Sequence, residues 1–171
     1  GIIIGARLFY ILFYWPEVPP SSPIKTVQEL LSRDPKNVDA YKNLSLVYYD
    51  QGNYGMAELT LGNAAKLDAK DSSNRNNLGM IYVKQGDYLK ALGMFRNAIA
   101  LDKTNIEAHQ NAGTIAMSFK DYTSAVNHFK TVVQLEPNNT KAHFQYGLAL
   151  TGQQKPQDAL AEFEGVMKAD R

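Results

Sequence analysis

From Val38 onward the apolar residues step along the chain in threes and fours. Tyr41, Leu44, Val47 and Tyr48 share one helical face. After the polar bend Gln51-Gly52-Asn53-Tyr54, residues Ala57, Leu61, Ala64 and Ala65 mark the face of a second helix. The same couplet then returns three times. When the chain is slid along itself by one such couplet, Ala57 falls on Ala91, Ala125 and Ala159, Ser45 on Gly79, Gly113 and Gly147, and Leu61 on Phe95, Phe129 and Phe163. Tyr54, Tyr88 and Tyr122 recur at the bend, with Pro156 in the fourth place. The register holds without a gap, which divides the chain into units at 38–71, 72–105, 106–139 and 140–171. Gly52, Gly86 and Asp121 punctuate the bends. Leu67-Asp68, Leu101-Asp102 and Leu135-Glu136 close the units, and Pro137 ends one helix outright.

Gly79 stands inside a predicted helix, where glycine costs up to about 1 kcal/mol relative to alanine. That cost is offset if Gly79 and Ala91 let two helix axes approach and so bury Phe95 and Tyr82. In the second unit Leu78-Gly79, Tyr82, Gly86-Asp87-Tyr88, Ala91, Phe95 and Ala98 carry a pattern that resembles the tetratricopeptide repeat (TPR) family, and the resemblance runs over 38–171. It implies an all-α fold, a right-handed α-solenoid of helix-turn-helix repeats. The pattern also departs from the family. The bulky aromatic near the start of the first helix appears as Tyr41 but is replaced by Arg75, His109 and His143. The Leu before the small residue becomes Ala112 and Tyr146, and the closing proline survives only as Pro137.

Upstream, Ile24, Val27, Leu30 and Leu31 give 24–37 an apolar helical face, which reads as a single helix of a degenerate repeat ending at Asp34-Pro35-Lys36-Asn37. Residues 16–23, with four prolines and two serines, form an extended linker. Residues 1–15, GIIIGARLFYILFYW, are nearly all apolar and end in three aromatic residues. They read either as the remainder of a membrane anchor or as a segment packed on the first repeats. Fifteen residues fall short of the roughly 20 that a span needs, and Arg7 is costly in hydrocarbon. The chain starts at Gly1 without methionine and lacks a stop signal after its last helix, so it reads as part of something longer. Localisation stays open between a membrane-anchored protein with a soluble repeat domain and a cytoplasmic one.

A chain of 171 residues with 44% apolar and 20% charged residues can bury a sizeable core. Its net charge of +1 lacks the basic excess of a nucleic-acid binder, and the absence of cysteine excludes disulfides, thiolate metal sites and cysteine nucleophiles. Of the three histidines His109, His128 and His143, His109 and His143 fill one repeat position in neighbouring units rather than forming a metal pair. No phosphate loop, zinc-protease or serine-hydrolase motif is present. Asn43-Leu44-Ser45 and Asn138-Asn139-Thr140 match glycosylation acceptors, a pattern short enough to arise by chance. The sequence therefore points to no catalysis, cofactor or metal.

The resemblance implies that the first helix of each unit lines a concave face that takes a peptide or a partner helix. Carried over residue by residue, that groove holds Lys42, Asn43, Leu46 and Tyr49, then Asn76, Asn77, Met80 and Val83. Gln110, Asn111, Thr114 and Met117 follow, then Lys141, Phe144, Gln145, Leu148 and Thr151. The amides Asn43, Asn77, Asn111 and Gln145 form a ladder that either braces the scaffold or pairs with a ligand backbone. Some members of the family grip a terminal carboxylate with Lys, Arg and Asn from three successive units. Lys42 and Asn77 fit that clamp, but Leu46, Glu107 and Asn111 break it. One unit later Asn111 and Lys141 fit, while Asn76, Met80 and Gln145 do not. Glu107 would repel the anion.

The expected function is a non-catalytic scaffold for a protein or peptide partner, a candidate for membrane contact through 1–15 and without nucleic-acid binding. Two other readings stand beside it. One is an assembly module self-associating through its uncapped end at Val166-Met167, and the other is the repeat part of a larger enzyme or regulator.

Overall fold

The computed structural model describes residues 23–169, so any contact of the 1–15 segment and of the linker upstream of Pro23 lies outside the described residues. Among the described residues there are nine helices and no strand. They are α1 (Pro23–Arg33), α2 (Val38–Asp50), α3 (Tyr54–Leu67), α4 (Ser72–Gln85), α5 (Tyr88–Leu101), α6 (Ile106–Ser118), α7 (Tyr122–Leu135), α8 (Thr140–Gly152) and α9 (Pro156–Ala169). The antiparallel pairs α2/α3, α4/α5, α6/α7 and α8/α9 pack as hairpins, and each hairpin packs on the next in chain order. Helix α1 lies on α2. There Val27 is buried and Ile24, Leu30 and Leu31 pack against the core of the first hairpin.

Short polar side chains start the helices. Asn37, Asp71, Asn105 and Asn139, at one matching place ahead of each unit, cap α2, α4, α6 and α8 by accepting a backbone N–H. Asn53, Asp87 and Asp121 do the same for α3, α5 and α7. At the bends inside the hairpins, Gly52 and Gly86 take positive φ angles of 73° and 80°. In the next two units that position is filled by Lys120 at 59° and Gln154 at 61°, so a left-handed residue is kept where glycine is not.

The core rests on one contact repeated in three units. A Cβ placed on Gly79 would lie 2.5 Å from the ring of Phe95; on Gly113 it would lie 2.8 Å from Phe129, and on Gly147 2.5 Å from Phe163. A side chain at position 79 would run into the Phe95 ring. The glycine makes room for an aromatic face, and Ala91 is buried in the same cluster. Unit one solves the same position differently. Ser45 replaces the glycine, Leu61 replaces the phenylalanine, and the Ser45 hydroxyl donates to the Ala57 carbonyl at 2.9 Å.

Another position breaks the repeat. Ala40, Ala108 and Ala142 are all buried at one register, and the second unit places Asn74 there, fully buried, with its Oδ1 unpartnered. Its amide nitrogen reaches only the Asp68 carbonyl, at 3.5 Å. An orphaned buried acceptor costs about 1–3 kcal/mol, whereas an alanine at this register needs no partner. Asn74→Ala is therefore expected to stabilise the chain by about 1 kcal/mol, read as a higher urea midpoint at unchanged slope. A lower midpoint would show that the amide is satisfied.

Candidate functional site

The first helices α2, α4, α6 and α8 each turn one face into the stack. Leu44, Val47, Tyr48, Leu78, Ile81, Ala112, Ile115, Ala149 and Leu150 are buried there. Two other rows run across the same four helices. One is Leu46, Met80, Thr114 and Leu148; the other is Tyr49, Val83, Met117 and Thr151. None of these eight is buried. Tyr49, Met80, Val83 and Met117 are half-buried because part of each side chain packs on the core clusters, whereas Thr114 and Leu148 are exposed.

The polar rows behave differently from an open ladder. Asn76 is only 7% exposed, because its Oδ1 accepts from Asn111 Nδ2 of the next unit at 2.9 Å. That bond ties α4 to α6 and commits two of the amides to the scaffold. Gln145, one unit further on, has a buried Oε1 with no partner. Asn43, Asn77 and Gln110 are half-buried. Phe144 is exposed and its ring lies 5.6 Å from that of Phe163.

Charge is locally neutralised. Lys42 donates to Asp71, the residue that also caps α4 and accepts from the Ser73 N–H at 2.8 Å. Burial pushes the Asp71 carboxyl up, but the bonds from Lys42 and Ser73 outweigh it and hold it below the usual carboxylate range. Lys42 is thus a strut between units one and two rather than a free cation. Lys84, which the sequence pattern did not single out, sits 6.0 Å from the Tyr49 ring centre. Lys141 and Glu107 are both exposed and take no part in these bonds. Beside α4, the Tyr82 hydroxyl donates to Glu58 at 2.7 Å across units one and two. Burial first, then that carboxylate, pushes its phenol up to about 12. No group of three metal-ligating side chains occurs among the described residues. Nor, among them, is any helix long and apolar enough to cross a membrane.

Sequence profiles described as tetratricopeptide repeat match residues 24–74, 74–105 and 116–171. The chain belongs to the TPR family. No curated protein matches the sequence. Among solved TPR structures it is similar to MamA, with a TM-score of 0.77 and 22% identity over 86% of each chain. A second MamA, residues 41 to the end from Desulfovibrio magneticus RS-1, superposes with a TM-score of 0.75 and 17% identity, covering 87% of this chain and 84% of that one. YrrB, described as a TPR protein with an unusual peptide-binding site, superposes with a TM-score of 0.69 and 19% identity, covering 86% of this chain and 76% of that one. At such identities the likeness establishes the TPR fold alone.

Proposed function

We propose that this TPR array binds an extended peptide or a partner helix along α2, α4, α6 and α8, and that it acts as a scaffold rather than an enzyme. The observation that carries the reading is the pair of rows Leu46/Met80/Thr114/Leu148 and Tyr49/Val83/Met117/Thr151, open at all eight positions although five are aliphatic or thioether and one aromatic. Methionines at two of them let the surface adapt to a ligand. Asn43 and Asn77 add half-buried amides beside these rows. With Lys42 held by Asp71 and an exposed carboxylate at Glu107 on α6, the groove favours an uncharged ligand segment over a terminal carboxylate.

Peptides selected from a random library against the full chain test this directly. Amide chemical-shift changes are expected on Met80, Thr114, Met117 and Leu148. Changes confined to α3, α5 and α7 would move binding to the outer helices. Tethering through residues 1–15 belongs to the same proposal, supported by their apolar run and closing aromatic cluster, and recovery of the protein wholly in the soluble fraction on membrane fractionation would end it. Exposed Leu160 and Met167 on α9 favour self-association as a second reading, which light scattering across a concentration series decides.

A further inference from the structure

The third and fourth units each bring two side chains 19 residues apart into contact across the hairpin, but with opposite chemistry. In unit three His109 of α6 meets His128 of α7, Nδ1 to Nδ1 at 3.1 Å, with ring centres 5.3 Å apart. In unit four His143 of α8 meets Glu162 of α9, Nδ1 to Oε2 at 2.5 Å. In both units the other nitrogen of the α6 or α8 histidine points at a carbonyl, Lys103 at 3.2 Å and Pro137 at 2.9 Å.

These distances fix the proton positions. A carbonyl only accepts, so His109 Nε2 carries hydrogen and its Nδ1 is a lone pair. His128 must then donate from its own Nδ1. The pair tolerates one further proton, on His128 Nε2, because the shared bond survives it. A second has to land on His109 Nδ1, where two N–H groups would face each other at 3.1 Å. We propose that the His109–His128 contact is an acid-released latch between α6 and α7, closed while the pair holds at most one extra proton and opened by the second.

The surroundings favour release. Burial lowers the affinity of His109 for a proton, against the pull of the Lys103 carbonyl. Burial, His109 and Arg96 of α5 lower that of His128, with Asp121 at the start of α7 opposing them; no group of α8 is among the charges acting on it. An opened pair would take up protons near the ordinary value of 6.5, while the closed pair resists until lower pH. Stability linked to the latch is therefore full above that value and falls as pH drops below it. Unit four has the reverse sign. The Glu162 bond holds the His143 imidazole above its ordinary value, so that contact is strongest in acid and is lost as pH rises through the raised value. Acidification thus loosens α6/α7 while α8/α9 stays tied. Helix α6 also carries Gln110, Thr114 and Met117; an effect on ligand binding rests on the groove proposed above, whereas the latch does not.

Hydrogen exchange of the full chain without ligand, corrected for the intrinsic rate, tests it from pH 7.5 to 5. Below about pH 6.5, protection of α6 and α7 is expected to fall about tenfold per pH unit for each proton taken up on opening, with no such fall in α8 and α9. His128→Glu copies the unit-four pair and is expected to invert the slope, and His128→Gln, which leaves His109 as the only titrating member, to reduce it to at most about tenfold per pH unit. Constant protection of α6 and α7, or an unchanged slope in His128→Glu, would overturn the latch. Nitrogen-15 spectra of the unmodified histidines at pH 7.5 give an independent reading. His109 protonated at Nε2 and His128 at Nδ1 supports the proposal, and any other assignment overturns it.

Discussion

Gly79→Ser is expected to cost about 3 kcal/mol of stability, and adding Phe95→Leu to the same chain to recover most of it. The cost is steric. A Cβ at position 79 would lie 2.5, 2.7 and 2.9 Å from three atoms of the Phe95 ring, distances that force something to move. Phe95 is 0% exposed, so its ring has no solvent-filled space to retreat into, and overpacking of this kind costs about 1–3 kcal/mol or more. The remedy is already written in unit one, where Ser45 and Leu61 occupy the two places and the serine hydroxyl donates to a backbone carbonyl. The residue at the register of that carbonyl in unit two is Ala91, buried in the same cluster as Phe95. Phe95→Leu alone trims a buried ring and destabilises. Combined with the serine, it removes the obstruction. Urea unfolding of the two single variants and the pair measures the coupling as a double-mutant cycle. A pair no more stable than Gly79→Ser alone would show that the glycine is kept for another reason.

How far the fold could be read beforehand follows from the same contact. The recurring register of small and aromatic residues carries the hairpin stack, because each glycine and its ring form a single structural element repeated in three units. Ala91 and Phe95 lie one helical turn apart on α5 and both are buried, and only the packed structure shows how tightly the Phe95 ring fills the space beside Gly79. The bends were half legible. Gly52 and Gly86 announce a left-handed residue, while Lys120 and Gln154 hide the same geometry behind side chains that rarely adopt it. Capping was present in the sequence as Asn or Asp just ahead of every unit, at Asn37, Asp71, Asn105 and Asn139, a signal as regular as the glycines.

The groove was less legible than the scaffold. The family resemblance implies a groove position for Asn76, but only the packed neighbour shows that Asn111 donates to its Oδ1. Lys42 likewise reads as a free cation until Asp71, 29 residues away, is brought against it. The repeat period does not expose the His109–His128 contact, because it relates equivalent positions in neighbouring units. The productive separation is 19 residues, from one helix of a hairpin to the other, and His143–Glu162 repeats it.

Thr114→Asp together with Leu148→Asp is expected to weaken binding of a selected peptide by more than about 2 kcal/mol, roughly thirtyfold in Kd, while leaving the helical circular-dichroism signal intact. Both residues are exposed, Leu148 to 42%, and neither belongs to a core cluster, so carboxylates there meet water in the free protein. That distinguishes them from Met80 and Met117, whose side chains also pack on the core and whose loss would confuse binding with folding. A bound apolar segment would strip water from both carboxylates without offering a cation of its own. The two sites share one register on neighbouring first helices, so a ligand spanning α6 and α8 meets both. Leu89→Asp provides the control. Leu89 is 82% exposed on α5, a second helix, and its substitution is expected to leave affinity unchanged. If Leu89→Asp weakens binding and the Thr114/Leu148 pair does not, the ligand lies on the outer helices and the open rows along α2, α4, α6 and α8 are not its seat.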